Sequence, residues 1–242
     1  MDYNKIQPII DLHTCLQGEG KLVGVPHILI RTSGCPLRCT FKDTICDTPY
    51  SSYRPENGKY SLNDIKSFVE QYPQIKYVMI TGGEPTMHDQ LLIELCRILK
   101  SYDLYITLET AGTYKTNAVV DLISLSPKMS NSTPKLSPSI TQDTIDRHEK
   151  YRKNYKTMLH YINQYPDYQL KCVVSTPEDI REILELQTIL NVPNNKVYLM
   201  PEGIEADQIT SKHLWLIEYC INYGYNLCDR LHVRYFGSKR DA

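Results

Sequence analysis

The stretch SGCPLRCTFKDTICDTPYS, residues 33–51, places three of the eight cysteines of the chain within twelve residues. These are Cys35, Cys39 and Cys46, in the spacing C-x3-C-x6-C. They follow the apolar run HILIRTS at 27–33, which is typical of a strand buried on both faces. We therefore expect the cysteines on a loop at the carboxyl end of a strand, where α/β proteins bind their ligands.

The three cysteines form a ligand set with one position left open. Thiolates bind zinc, other soft metals and iron–sulfur clusters, and neither cysteine nor histidine follows Cys46 until His88. Three ligands leave one iron of a four-iron cluster free to bind another molecule. A zinc site completed by a distant residue is the alternative. The other cysteines lie in apolar segments and are expected to be small buried residues: Cys15, Cys96, Cys172, Cys220 and Cys228.

Composition argues against several classes of protein. The 242 residues are 23% charged and 41% hydrophobic, and the formal net charge is −1. This balance provides no overall attraction to nucleic acid or to an anionic membrane, and no run reaches the roughly 18 apolar residues of a membrane span. The first residues lack the apolar core of a signal peptide. We therefore expect a cytoplasmic protein whose thiols stay reduced.

Short apolar runs alternate with helical patterns along the chain. This alternation predicts an α/β fold with a mostly parallel sheet, either open or a partial barrel. The predicted strands are 27–33, 76–82, 104–110, 119–127, 168–176, 196–203 and 230–237. The predicted helices are 61–72, 88–102, 143–165, 176–190 and 207–223, with a long loop before the third of them.

A second motif, TGGEP at 81–85, directly follows a predicted strand. Its glycines allow a backbone to approach a ligand closely, and Glu84 offers acceptor oxygens to an amine. A glycine-rich turn before the helix at 88 is the alternative.

Together, the cysteine loop and GGEP resemble the radical S-adenosylmethionine (SAM) superfamily. Its usual spacing is C-x3-C-x2-C with an aromatic residue before the third cysteine. Here four more residues separate Cys39 from Cys46, and Ile45 takes the aromatic position.

Within the superfamily, LQGEGKLVGVPHILIRTSGC at 16–35 is similar to the 7-carboxy-7-deazaguanine synthases. The resemblance covers nearly the whole chain and is weakest over 129–167.

The fold implied by this resemblance is an incomplete (β/α) barrel that forms a homodimer. Residues 1–242 would make one radical SAM domain, with an N-terminal substrate-binding segment and a C-terminal segment that closes over the site. The cysteines would hold a 4Fe–4S cluster, and Thr48 would bind Mg²⁺. For Thr48 a turn-capping hydroxyl is the alternative.

The resemblance also assigns two larger sets of residues. The substrate-binding set comprises Leu16, Gln17, Gly18, Arg31, Thr81, His232 and Ala242. The SAM-binding set comprises Ile45, Asp47, Gly83, Glu84, Ser126, Pro127, Lys128, Met200, Pro201, Glu202 and Gly203. Arg31 would hold a substrate carboxylate with two parallel hydrogen bonds, unless it is an exposed arginine of an edge strand. The alternatives are a solvated side chain for Lys128 and a core residue of a strand for His232. No residue is assigned as a general acid or base.

The implied activity is that of a lyase in queuosine and deazapurine biosynthesis. A 4Fe–4S cluster and SAM would supply an adenosyl radical that abstracts hydrogen from C6 of 6-carboxy-5,6,7,8-tetrahydropterin. The ring would contract to 7-carboxy-7-deazaguanine with loss of ammonia, and SAM would be regenerated. An electron donor such as flavodoxin is implied, whereas nucleic acid and membranes are not expected as partners.

Two other functions stay open at this point. A glycyl-radical-activating enzyme would share the cysteine loop and GGEP, but it would act on a protein and would not need QGEG or Arg31. A zinc-binding scaffold without catalysis would need only the cysteines.

Overall fold

A mostly parallel sheet of eight strands forms the centre of the structure. The computed structural model describes residues 2–42, 44–237 and 239–240. In chain order its strands are β1 (Ile6–Gln7), β2 (Ile9–Leu16), β3 (Pro26–Thr32), β4 (Tyr60–Ser61), β5 (Tyr77–Gly82), β6 (Tyr105–Thr110), β7 (Leu122–Leu125), β8 (Tyr168–Val174), β9 (Val197–Pro201) and β10 (Asn226–Leu227). The order across the sheet is β10-β9-β8-β7-β6-β5-β3-β2, while β1 and β4 pair separately. Among the described strands of the large sheet, β2 alone is antiparallel to its neighbour.

Helices connect the parallel strands and cover the sheet. They are α1 (Pro49–Ser52), α2 (Leu62–Gln71), α3 (Asp89–Lys100), α4 (Gln142–Arg152), α5 (Tyr155–Gln164), α6 (Asp179–Leu190), α7 (Ala206–Tyr223) and α8 (Leu231–Phe236). The sequence specifies several helix ends. Ser61 and Asp64 form a capping box at the start of α2, and Gly224 ends α7 in the left-handed conformation with φ of 67°.

The predicted α/β class with a mostly parallel sheet that does not close is confirmed. β2 and β10 lie at opposite edges of the sheet. The first six predicted strands are present: the first is shifted by one residue, and the other five are shorter than predicted. Their side chains are buried on both faces, as at Ile28, Val78 and Ile106, each of which is 0% exposed. This double burial is why these segments are apolar almost throughout.

Two predicted elements are wrong. The segment 230–237 is not a strand but contains the helix α8, which buries Val233 and exposes Tyr235. The predicted helix over 143–165 is two helices, because Asn154 breaks it. The side chain of Asn154 caps α5 by accepting the Thr157 N–H.

The strand β2 is missing from the predicted elements, although its second half alternates between half-buried and exposed side chains. Within the described residues, no helix is long and apolar enough to cross a membrane.

Candidate active site

A cleft at the carboxyl ends of the parallel strands contains most of the residues that the sequence singles out. Its volume is about 320 Å³. Its lining includes Leu16, Gln17, Gly18, Arg31, Thr81 and His232 of the predicted substrate set, and Ile45, Asp47, Gly83, Ser126, Lys128, Met200, Glu202 and Gly203 of the predicted SAM set. Cys35, Cys39, Cys46 and Thr48 line it as well. Glu84, Pro127 and Pro201 are buried and do not line it, and Ala242 lies outside the described residues. The fold therefore brings the two sets together, while the role of each residue stays a prediction.

A small hairpin takes up the extended spacing between the second and third cysteines. Phe41 donates its backbone N–H to the Thr44 carbonyl over 2.7 Å. Cys46 donates its backbone N–H to the Cys39 carbonyl over 3.0 Å. The second of these hydrogen bonds brings Cys46 back to the side of Cys39.

The three cysteines fit the ligand set of a 4Fe–4S cluster with one open position. All eight cysteines of the chain are free of disulfide bonds, and Cys35, Cys39 and Cys46 lie in one hydrophobic cluster with Leu37 and Ala111. Burial raises the pKa of Cys35 to about 12 and the pKa of Cys39 well above its ordinary value, so coordination to iron would be needed to hold these two thiols as thiolates.

His148 ties the cysteine loop to the chain beyond β7. Its buried imidazole accepts the Arg38 backbone N–H at Nδ1 over 3.2 Å, and Nε2 lies 3.3 Å from the Ser132 hydroxyl. Thr40 donates its N–H to the Ser132 carbonyl over 2.9 Å. Burial lowers the pKa of His148 to about 4, which keeps the ring neutral, as an acceptor nitrogen requires.

Gly83 packs the GGEP segment against the cysteine loop. Gly83 donates its N–H to the Thr32 carbonyl over 3.1 Å, and Glu84 donates its N–H to the Gly34 carbonyl over 2.8 Å. A β-carbon at Gly83 would lie 2.2 Å from the Gly34 carbonyl oxygen and 2.5 Å from that of Ser51. Only glycine fits there, because both obstacles are backbone atoms.

The Glu84 carboxylate holds the ends of two strands together. It is fully buried and accepts the hydroxyls of Thr86 and Thr110 over 2.8 and 2.7 Å and the Ala111 N–H over 2.9 Å. Its predicted contact with the SAM amine would require the ammonium group to share these oxygens with their present donors.

A chain of ion pairs crosses the floor of the cleft. Lys171 on β8 is 3% exposed and lies 2.7 Å from Glu19 and 2.9 Å from Glu109. Arg230 lies 3.0 Å from Glu19 and 2.5 Å from Asp47. Three carboxylates thus face two cations, which leaves a formal charge of −1. Charges removed from water persist only when they are paired in this way.

These pairs set the protonation states along the floor. Burial lowers the pKa of Lys171, but the carboxylates of Glu109 and Glu19 outweigh it and raise that pKa above its ordinary value. Burial raises the pKa of Glu19, but Lys171 and Arg230 outweigh it and hold that pKa well below its ordinary range. His232, whose Nε2 lies 3.9 Å from Glu19, has its pKa lowered by burial. At neutral pH, Lys171 and Glu19 are therefore charged and His232 is neutral.

Arg31 is oriented by a buried carboxylate. Its Nε donates to Oδ2 of Asp11 over 2.9 Å. Arg240 donates to the other oxygen, Oδ1, over 2.6 Å, pairs with Glu56, and places its guanidinium 3.8 Å from the ring centre of Tyr50. Within the described residues, the two terminal NH₂ groups of Arg31 have no hydrogen-bond partner, and the side chain lines the cleft.

His232 lies on α8 and packs against the QGEG segment. A β-carbon at Gly18 would lie 2.1 Å from Nδ1 of His232, and Leu231 donates its N–H to the Gly18 carbonyl over 2.9 Å. His232 therefore lies beside Gly18 in a helix and not in the predicted strand, while its contact with substrate stays a prediction.

The polar side chains of the predicted SAM segments are bound within the protein. The Lys128 ammonium donates to the carbonyl and the hydroxyl of Ser126, both over 3.0 Å, and the side chain is half-buried rather than fully solvated. Glu202 accepts the Thr44 hydroxyl over 2.8 Å and the Lys212 ammonium over 2.7 Å.

Sequence analysis missed four members of the floor: Glu19, Glu109, Lys171 and Arg230. Lys171 carried a usable signal, because a lysine inside the apolar strand YQLKCVV is almost never buried without a partner. Glu19 lies within QGEG, but nothing in the sequence indicates which charges it pairs with across 152 and 211 residues.

The chain was compared with known proteins. The sequence model of the Radical SAM superfamily matches residues 29–201. A 7-carboxy-7-deazaguanine synthase from Rhodopirellula baltica is 39% identical over 93% of this chain and 84% of the relative. One from Halobacterium salinarum is 37% identical over 93% and 89%. The crystal structure of QueE from Escherichia coli has a TM-score of 0.63 at 23% identity, covering 93% of this chain and 94% of that one, which shows a common fold.

We predict that Cys35→Ala, Cys39→Ala and Cys46→Ala each prevent assembly of a 4Fe–4S cluster, because each removes one of three ligands. Iron and sulfide content and visible absorption after anaerobic reconstitution measure this. Cys96→Ala and Cys220→Ala are the matched controls, since both residues are buried away from the cleft lining. Wild-type iron content in Cys46→Ala would contradict the ligand set.

We predict that Lys171→Met destabilises the protein by about 3–5 kcal/mol, the cost of leaving a buried charge unpaired. Lys21→Met is the control, because the Lys21 side chain is 44% exposed and its ion pair with Asp167 lies near solvent. An ion pair in such a position contributes roughly 1 kcal/mol or less. Urea denaturation followed by circular dichroism measures both. Equal losses of stability in the two variants would show that the buried ion pairs contribute no more than the exposed one.

Proposed function

We propose a reaction for this chain from one premise: it belongs to the radical SAM superfamily and, within it, to the family of 7-carboxy-7-deazaguanine synthases. The reaction is the conversion of 6-carboxy-5,6,7,8-tetrahydropterin to 7-carboxy-7-deazaguanine with loss of ammonia. When bound, a reduced 4Fe–4S cluster and SAM supply the radical chemistry. The protein binds and orients the substrate and excludes water.

The environment of Arg31 is the observation that most strongly supports this substrate. A carboxylate taken out of water needs a fixed cation opposite it. The Asp11 contact fixes Arg31 through Nε and leaves the two terminal NH₂ groups for a ligand in the cleft. Such a pair of parallel donors matches the two oxygens of a carboxylate. An activating enzyme that acts on a protein has no need of this arrangement.

Glu109 and His232 supply groups of the kind that a pterin ring binds. Oε2 of Glu109 is paired with Lys171, while Oε1 is buried and has no hydrogen-bond partner within the described residues. A buried acceptor without a donor is costly. The amide and amino N–H groups of a pterin would satisfy it, and the neutral His232 ring can donate from one nitrogen and accept at the other.

The C-terminal segment closes the substrate end of the cleft in this proposal. Arg240 is bound to Asp11 and Glu56 and lies over Tyr50. These contacts place Arg240 on the same carboxylate as Arg31, while Ala242, the proposed substrate contact, lies outside the described residues. Residues 1–242 would then act as one domain.

Thr48 is the proposed Mg²⁺ ligand. It occupies the N-cap position of α1, yet its side chain makes no capping hydrogen bond there. The hydroxyl lines the cleft 3.5 Å from the Cys46 sulfur. In this proposal it would offer one oxygen to a Mg²⁺ ion that takes its other ligands from substrate and water.

Three further parts of the proposal concern the setting of the enzyme. An electron donor such as flavodoxin would reduce the cluster, the active form would be a homodimer, and the cytoplasm would keep the thiols reduced.

We predict that Arg31→Met spares cluster content and SAM binding but weakens binding of the carboxylated pterin by about 2–5 kcal/mol, as expected for removal of one member of a buried charge pair. Asp11 keeps Arg240 as its partner in this variant. Arg31→Lys should recover only part of the loss, because an ammonium cannot reproduce the paired geometry.

The measurement is an anaerobic comparison of two ligands, with and without the carboxylate, against the wild type and Arg31→Met. Wild-type turnover of the carboxylated pterin to a product that has lost ammonia tests the reaction itself. Equal losses for both ligands would make Arg31 a structural residue. Failure of the wild type to bind either pterin would reject the proposed function.

We predict that Thr48→Val weakens Mg²⁺ stimulation while SAM cleavage stays largely intact, because valine keeps the shape and removes the oxygen. Activity titrated against Mg²⁺ measures the shift. Thr188→Val, an exposed threonine on α6, is the control. An unchanged magnesium dependence in Thr48→Val would return Thr48 to the role of a turn residue.

A further inference from the structure

The hairpin within the cysteine loop carries an aromatic side chain into the cleft. The hairpin is closed by pairing of Thr40 with Ile45 and by the hydrogen bond from Phe41 to Thr44. The Phe41 side chain is half-buried and forms part of the cleft lining. The hairpin therefore forms part of the cleft wall as well as lengthening the spacing between Cys39 and Cys46.

Phe41 joins two parts of the cleft wall that would otherwise be separate. On one side it packs against the cluster that contains Cys39 and Ala111. On the other it packs against the cluster that contains Val173 and Met200, at the carboxyl ends of β8 and β9. A molecule that reaches from the cysteines to the end of β9 must pass this ring.

Polar contacts hold the hairpin in place on both sides. Thr44 donates its hydroxyl to Glu202 over 2.8 Å, and Lys212 binds the other oxygen of Glu202 over 2.7 Å. Thr40 donates its N–H to the Ser132 carbonyl over 2.9 Å. The ring is thus positioned before any ligand binds, which lowers the ordering cost of binding.

The other aromatic rings in the described lining are less suited to receive a flat base. The Arg240 guanidinium lies over Tyr50 at 3.8 Å from the ring centre. His232 packs against Gly18 beside the ion pairs of the floor, and His13 lies on β2 at the edge of the sheet. Phe41 is the ring of the lining that adjoins the cysteines.

We propose that Phe41 is the surface on which the adenine of SAM stacks, and that the hairpin supplies this ring in place of the residue before the third cysteine. That residue is Ile45, whose side chain is 49% exposed. Stacking suits an adenine because its π-face is flat and apolar. The inference rests on membership of the radical SAM superfamily and not on the proposed pterin substrate.

The test is equilibrium binding of SAM to the cluster-loaded protein. Stacking of a base on an aromatic side chain is lost on truncation with a change of about five- to a hundredfold in affinity. We expect Phe41→Leu to weaken SAM within that range, with iron content unchanged. Phe41→Trp should retain the affinity, because it keeps an aromatic face.

L-Methionine, which lacks the adenosine, separates stacking from general support of the loop. Its binding should be unaffected by Phe41→Leu, and Phe68→Leu on α2 should leave both ligands unchanged. The proposal is overturned if Phe41→Leu binds SAM like the wild type, if it loses methionine and SAM equally, if it loses iron, or if Ile45→Ala causes the larger loss of SAM affinity. None of these outcomes depends on whether the pterin is the substrate.

Discussion

The arrangement of the cleft depends on the carboxylate of Glu19, whose side chain is 16% exposed. It lies beyond the edge strand β2, yet it is bound by Lys171 from the middle of the sheet and by Arg230 from near the C-terminus. An uncompensated charge in this position would cost several kcal/mol, so the three segments must meet there. The N-terminal and C-terminal parts of the chain are thereby fixed across an open sheet whose edges do not pair with each other.

The side of the cleft that carries the cysteines depends instead on close contact between backbone segments. Gly83 brings the end of β5 within hydrogen-bonding distance of Thr32, where a β-carbon would collide with backbone oxygens. Glu84 then satisfies donors from the end of β6. Three strand ends are locked together before any cofactor is bound. The cysteine loop can be longer than usual without displacing its three cysteines, because the hairpin within it closes on Cys39.

Sequence could predict the features that depend on local pattern. The apolar parallel strands, the capping box at Ser61 and the placing of the cysteines at a strand end all follow from short-range rules. The break at Asn154 is also local, since its side chain caps α5 three residues away, whereas the error at 230–237 and the missed ion pairs have their cause in long-range contacts. Residues 230–237 alternate like a strand, but Arg230 is drawn inward by Glu19, and the segment folds as a helix over the cleft. The ion pairs of Lys171 connect residues too distant in the chain for any spacing rule to link them.

The two parts of the site differ in what holds them in place. The cysteines, the GGEP glycines and the strand ends near Ser126 and Met200 lie within the segment shared with the radical SAM superfamily, and local backbone geometry specifies them. Gln17, Glu19, Arg230, His232 and Arg240 lie outside that segment, at the two ends of the chain. Ion pairs across the cleft hold Glu19, Arg230 and Arg240 in place. Backbone packing thus fixes the part of the cleft shared with the superfamily, whereas side-chain ion pairs fix the part that the two ends supply. If the substrate binds as proposed, the contacts made by the ends can diverge while Arg31 and the cysteine loop are retained.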